Sequence, residues 1–352
     1  MKKLKGFQKE NRKMISVKNI SKEFVSAKKY PGLKGAIKGL FSREKVSKTA
    51  VDDISFDIRE GEIVGYIGSN GAGKSTTIKM MTGILKPTKG QCIVNGIDPS
   101  KNRTENAMNI GVVFGQRTQL WWDLPLSESF TILKEIYNVS DEDYEKRMEF
   151  LNNVLGLEEF FTQSVRTLSL GQRMRADLGA SLLHNPKVLY LDEPTIGLDL
   201  VVKDKIRAAI KEINEKYKTT VILTTHDIGD IEELCSRIIV IDEGHKIYDG
   251  GLKELKEKYG KKRKVLMELS DLTTCKSTDW SEKIPKVDVD YDNEQNIIIF
   301  TFNRDEVQIS DVISSAMSVA EVKDVEIKDT ELSEIVKEIY THNLDTSQEK
   351  GA

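Results

Sequence analysis

Residues 68 to 76 read Gly-Ser-Asn-Gly-Ala-Gly-Lys-Ser-Thr. The apolar run Glu62-Ile63-Val64-Gly65-Tyr66-Ile67 precedes them, and the helix-compatible stretch Thr77-Ile78-Lys79-Met80-Met81 follows. Strand, glycine-rich loop and helix in this order form a phosphate-binding loop. Glycines let backbone N–H groups turn onto phosphate oxygens where a side chain would block the approach. On this pattern Gly68, Asn70, Gly71, Ala72, Gly73, Lys74, Ser75 and Thr76 are expected to bind a nucleoside triphosphate. Lys74 supplies a point charge for the β- and γ-phosphates, and the Ser75 hydroxyl binds Mg²⁺.

The rest of the 352-residue chain allows roughly two domains. No stretch approaches the ~20 apolar residues that span a bilayer. The N-terminus is basic and polar with no apolar segment behind it, so no secretory signal is expected. Cys92, Cys235 and Cys275 are far apart and read as buried thiols rather than a disulfide framework. The four histidines lack metal-ligand spacing. Net charge is −3, but residues 1–50 carry fifteen Lys/Arg and three acids, leaving −15 on the remainder. A basic end on an acidic body points to an anionic partner, either membrane headgroups or nucleic acid.

Ile15 to Ile20, Val51 to Ile58, Lys187 to Leu191, Thr220 to Thr224, Arg237 to Asp242 and His245 to Tyr248 read as strands. Continuous apolar runs among them fit strands buried on both faces of a mostly parallel sheet. Lys203 to Tyr217 has helical spacing, and residues 127–180 are helix-rich. The alternation predicts an α/β core. A basic tail, 1–14, precedes a nucleotide-binding domain over 15–255. A basic amphipathic insert interrupts it at 25–49. After the charged stretch 252–264, alternating strands and helices predict a small α+β domain over 262–345.

Five further signals follow the loop in order. They are Val112-Val113-Phe114-Gly115-Gln116, Leu168-Ser169-Leu170-Gly171-Gln172-Arg173, Leu189-Tyr190-Leu191-Asp192-Glu193-Pro194, Gly197-Leu198-Asp199, and Thr224-Thr225-His226-Asp227. The set resembles the nucleotide-binding subunit of ABC (ATP-binding cassette) transporters over residues 15–255. The resemblance implies a phosphate-loop NTPase core with a helical subdomain, hydrolysing ATP with Mg²⁺. Asp192 and Ser75, with Gln116, would hold the metal. Glu193 would orient or deprotonate the attacking water, and Gln116 and His226 would complete the catalytic set, His226 at the γ-phosphate. Ser169, Gly171 and Gln172 would serve the ATP of a partner subunit, a second copy or a homologous ATPase subunit, with Asp199 as a dimer contact. The family's usual pattern has glycine where this chain has Leu170, which bears on the local backbone because glycine adopts φ > 0 where leucine resists it; with Ser169, Gly171 and Gln172 present, an active signature is expected. An aromatic upstream of the loop, Phe24 or Tyr30, would stack on adenine, with Phe24 preferred.

Absence of a spanning segment implies a separate permease partner. Trp121 and Trp122, just after Gln116, read as an interface pair lining the groove that receives it. Leu33, Ile37, Leu40 and Phe41 lie on one helical face with Lys34, Lys38 and Arg43 largely off it, which suggests that 31–44 touch a membrane surface. A similar amphipathic insert occurs in the ATPase subunits of ABC polysaccharide exporters, and Gly115 to Pro125 with Leu168 to Arg175 resembles a branch paired with exporter-type permeases of the drug, antibiotic and polysaccharide group. The expected protein is a cytoplasmic ATPase subunit, peripheral on the inner membrane face, that dimerises around two ATP and drives an exporter. The alternative is an ABC ATPase acting in assembly or regulation. Nucleic acid is not an expected partner.

Overall fold

The structure, a computed structural model, describes residues 12–28, 45–115 and 117–349. Tyr30, the insert at 31–44 and Gln116 therefore lie outside the described residues. The chain divides into two units, Met1–Gly250 and Gly251–Ala352.

The first unit holds two sheets. β1 (Lys13–Ala27) pairs antiparallel with β2 (Lys45–Arg59) on one side and with β4 (Lys89–Val94) on the other. Ile15, Val17, Ile20, Ile54, Phe56, Ile58, Cys92 and Val94 turn inward and join the core beneath the phosphate loop. β1 and β2 run further into the interrupted region than hydrophobic spacing indicates, pairing as far as Ala27 with Lys45. Their ends expose Phe24, Val25 and Val46, so no buried face imprints a period of two on that sequence. β4 is likewise faint in the sequence, because within Lys89–Val94 only Cys92 and Val94 are buried.

The second sheet has six strands in the order β5-β6-β7-β3-β8-β9. These are β3 (Ile63–Gly68), β5 (Ile110–Phe114), β6 (Val188–Asp192), β7 (Thr220–Thr224), β8 (Arg237–Asp242) and β9 (His245–Gly251). The β5–β6, β6–β7, β7–β3 and β3–β8 pairings are all parallel. β7 is buried along its whole length and β6 up to its final aspartate, which accounts for their continuous apolar runs. Parallel pairing brings the C-terminal ends of β3, β5, β6, β7 and β8 to one edge, where open α/β sheets place their ligand sites.

Helix α1 (Lys74–Met81) follows β3, and the short α2 (Arg103–Ala107) precedes β5. A helical subdomain comprises α3 (Leu126–Ile136), α4 (Asp141–Leu155) and α5 (Leu170–Leu182). It is packed through Phe130, Leu133, Leu151, Leu155, Leu157 and Phe160. The Ser140 side chain caps α4 by accepting from the Asp143 N–H, and Gly156 ends it at φ 60°. α6 (Leu200–Tyr217) and α7 (Ile228–Leu234) follow β6 and β7.

The second unit is built on an antiparallel sheet, β11-β12-β10-β13, with α8 (Leu252–Tyr259), α9 (Thr273–Lys276), α10 (Trp280–Lys283), α11 (Ile309–Met317) and α12 (Leu332–Glu349). Its strands are β10 (Lys262–Leu269), β11 (Val287–Asp292), β12 (Ile297–Asn303) and β13 (Val322–Asp329). Alternate residues Val265, Met267, Leu269 and Ile298, Phe300, Phe302 form its own core with Trp280 and Val312. Helix α8 falls within this unit. All three cysteines are buried free thiols. No helix among the described residues is long and apolar enough to cross a membrane.

Candidate functional site

The phosphate loop leaves β3 at Gly68 and enters α1 at Lys74. Two glycines set its path. A Cβ on Gly73 would lie 2.5 Å from the Ala50 carbonyl oxygen, and its φ of +105° is strained for any side chain. A Cβ on Gly68 would lie 2.5 Å from the Ile241 carbonyl oxygen. With Gly73 as N-cap, no side chain occupies the start of α1, so its first N–H groups remain for an anion. Lys74 Nζ donates to the carbonyl oxygens of Gly68 at 2.6 Å and Ser69 at 3.2 Å. Burial pulls its pKa below the ordinary lysine value, against the opposing charges of Glu193 and Asp192. Ser69 Oγ donates to Asp242 Oδ1 at 2.6 Å, so the end of β8 steadies the loop. Asp242 escapes sequence reading because only the β3–β8 pairing brings it there.

β6 ends beside the loop. Asp192 Oδ2 accepts from Ser75 Oγ at 3.4 Å, and Asp192 Oδ1 accepts from Thr224 Oγ1 at 2.5 Å. Glu193 adopts φ +57°, a left-handed conformation that its surroundings impose. Its N–H donates to the Thr224 carbonyl at 2.9 Å. Its carboxylate accepts from the His226 N–H at 3.3 Å, and His226 Nε2 lies 3.4 Å from its other oxygen. Burial raises the Glu193 pKa, while His226 and Lys74 pull it back. Lys74, Ser75, Asp192, Glu193 and His226 thus share one sheet edge. Ser75 and Asp192 offer the hard oxygen donors that suit Mg²⁺, an ion that keeps several waters and substrate oxygens in its shell. Among the described residues no cluster of three or more His, Cys, Asp or Glu could hold a metal alone.

The signature residues stand apart from this edge. Ser169 caps α5 by accepting from the Gln172 N–H at 3.2 Å, and Gln172 Oε1 accepts from the Ser169 N–H at 2.9 Å. No hydrogen bond or ion pair among the described residues joins Ser169, Gly171 or Gln172 to residues 68–76. Leu170 is the first helical residue after that cap and does not have positive φ, so a leucine is accommodated there. A Cβ on Gly171 would meet Val202 at 3.0 Å, and Leu170 approaches Gly197. Asp199 caps α6 by accepting from the Val202 N–H at 3.0 Å. Beside these two helix starts Leu170, Ile196, Leu200 and Val201 are exposed, the last two by 69% and 65%.

Trp121 and Trp122 are 37% and 48% exposed, so neither is a core residue of the helical subdomain. The Arg173 guanidinium sits 5.5 Å over the Trp122 ring. The segment leading to them is pinned by Asp177 of α5. Asp177 Oδ1 accepts from Thr118 Oγ1 at 2.9 Å and the Gln119 N–H at 3.1 Å. Asp177 gives no motif signal, since a carboxylate eight residues into a helix reads as solvated until its burial is seen. Phe24 lies exposed on β1 with Lys22 Nζ 5.4 Å from its ring centre.

Comparison with known proteins gives a coherent set. A family model described as ABC transporter matches residues 51–196. The ABC transporter ATP-binding protein NatA of Bacillus subtilis is 33% identical over 215 residues, covering 61% of this chain and 87% of that protein. The methionine import ATP-binding protein MetN of Halalkalibacterium halodurans is 37% identical over 218 residues, covering 61% of this chain and 64% of that protein. A solved dimeric post-hydrolysis state of an ATP-binding cassette bound to ADP and Pi superposes with TM-score 0.56 at 28% identity, covering 68% of this chain and 99% of that one.

Proposed function

The chain belongs to the ATP-binding proteins of ABC transporters, and from that premise we propose that it is the ATPase subunit of an exporter, docked on a separate permease at the inner membrane face. Its ATP-binding domain hydrolyses ATP and dimerises; the direction of transport and the residue roles below are our reading.

The loop N–H groups and Lys74 bind the phosphates. Ser75 and Asp192 would hold Mg²⁺, with Gln116 as a further ligand, and the ion would supply charge neutralisation at the phosphates. Glu193 orients a water in line with the γ-phosphorus and takes its proton as the new P–O bond forms and the bridging P–O bond breaks, giving ADP and phosphate. Its raised pKa favours accepting that proton. His226 holds Glu193 in place and reaches the γ-phosphate. The observation that carries this assignment is the pair of contacts at one sheet edge, Ser75 with Asp192 and Glu193 with His226.

No hydrogen bond or ion pair among the described residues joins Ser169, Gly171 or Gln172 to residues 68–76, which suits a role on the ATP of a second copy. The exposed apolar residues Leu170, Ile196, Leu200 and Val201 suit closure against that copy, with Asp199, next to Leu200, as a contact. Phe24 is open to stack on adenine. Trp121 and Trp122 offer the aromatic anchors for a permease helix. A relative named for import shares this cassette, so the export reading rests on the basic amphipathic stretch 31–44 and the 115–125 segment. Purification from membranes tests it. The tagged chain is expected to co-isolate a multispanning membrane protein whose reconstituted vesicles lose or gain substrate in the outward direction. ATP-dependent transport in the inward direction would overturn export, and isolation of only a water-soluble complex would overturn the permease partner.

A further inference from the structure

We infer that Asp230 is a positioning residue that locks the Glu193 loop to the His226 loop by gripping Thr195 and Thr225 together. Asp230 lies on α7 and is fully buried, and no hydrogen bond or ion pair among the described residues joins it to the phosphate loop. Its Oδ2 accepts from the hydroxyls of both threonines, Thr195 and, at 2.9 Å, Thr225. Thr195 is two residues beyond Glu193, and Thr225 immediately precedes His226. Both threonines are buried, so neither hydroxyl has water as an alternative partner.

The carboxylate is itself held. Arg207 of α6 donates from Nε to Asp230 Oδ1 at 2.7 Å and is nearly buried. The same guanidinium reaches Asp227, Asp204 and Glu233, and Lys203 pairs with Asp227. Buried ion pairs are poor contributors to stability, because desolvation offsets most of their attraction. One that joins two loops bearing reactive groups has a geometric use instead. Glu193 needs such support, since its left-handed backbone is uphill for a residue with a side chain. The Thr224 carbonyl fixes it on one side and Thr195, through Asp230, on the other.

The inference rests on the reading of Glu193 and His226 as the hydrolytic pair, and its test separates the two. Steady-state ATP hydrolysis is measured on the full chain carrying Thr195→Val or Thr225→Val, which remove one hydroxyl at nearly constant volume, and Asp230→Asn. Each threonine variant is expected to lose about tenfold or more in kcat, the scale of a misplaced catalytic group, with KM for ATP within about twofold. The double threonine variant is expected to lose less than the product of the single losses, because either change already frees one loop from the other. Thr195→Ser, which keeps the hydroxyl, restores turnover. Should Asp230→Asn fail to fold, the threonine series still decides. If Glu193→Gln stops turnover while both threonine variants keep the wild-type kcat, or if Thr195→Ser is as slow as Thr195→Val, the positioning role is overturned. If the wild-type chain hydrolyses no ATP, the reading of the site falls and this inference falls with it.

Discussion

His226 meets Glu193 twice, through its backbone N–H at 3.3 Å to one carboxylate oxygen and through Nε2 at 3.4 Å from the other. The two residues follow different strands, β6 and β7, whose parallel pairing sets Asp192 opposite Thr224. A carboxylate that accepts a hydrogen bond at one oxygen and faces an imidazole nitrogen at the other has a defined direction, which a base that must aim one water requires. His226→Ala is accordingly expected to lower kcat by roughly 10²-fold or more, the scale of a lost general-base arrangement, with little change in ATP affinity. Unchanged kcat would separate the histidine from the chemistry.

Glu193 costs stability where it stands. Its positive φ and partial burial both disfavour an ionised, Cβ-bearing residue. Glu193→Gly is expected to abolish turnover while Tm stays equal to or above that of the wild type, read by calorimetry. A marked fall in Tm would show that the side chain is there for the fold.

Asp177 makes stability depend on pH. Burial pushes its carboxyl up to about 6 from 3.8. The folded chain therefore binds more protons than the unfolded chain between about pH 4 and 6, and this group's contribution to stability falls as pH rises through that window. Once ionised it costs on the order of 2–3 kcal/mol by the usual conversion of a pKa shift. Both bonds from Thr118 and Gln119 land on Oδ1, so an amide oxygen can keep them. Asp177→Asn is expected to raise Tm near pH 7.5 and to flatten the fall between pH 4 and 6 relative to wild type. A lower Tm at pH 7.5 with the same slope would contradict this.

Trp121 and Trp122 are expected to act on coupling and not on the fold. Because both are substantially exposed, Trp121→Ala with Trp122→Ala should leave Tm within a few degrees. Stimulation of ATP hydrolysis by the permease should be lost, while basal hydrolysis of the isolated chain persists. Full stimulation in the double variant would remove the tryptophans from that interface.

The site was legible where chemistry is written in short runs. Residues 68–76, Asp192-Glu193 and Thr224 to Asp227 announce themselves because a backbone cradle and strand-end carboxylates need fixed local spacing. Strands β6 and β7 were legible because full burial leaves an unbroken apolar run. The β4 strand and the far ends of β1 and β2 were not, because partly solvated strands lack that imprint. Asp242, Asp177 and Asp230 were silent for another reason. Each is an ordinary acid in sequence, and each acquires its role from a hydrogen-bond partner dozens of residues or more away in the chain, supplied by tertiary pairing. Leu170, a departure from the family's usual glycine, is absorbed by an ordinary helix start.

The central claim is that each chain carries half of two shared ATP sites, with Glu193 as the hydrolytic base. Glu193→Gln keeps the shape and removes the base. Light scattering of this variant with ATP and Mg²⁺ is expected to give twice the monomer mass, persisting for hours with ATP retained, while turnover falls by about 10²-fold or more. A variant that stays monomeric with bound ATP, or that hydrolyses ATP at the wild-type rate, would contradict the account.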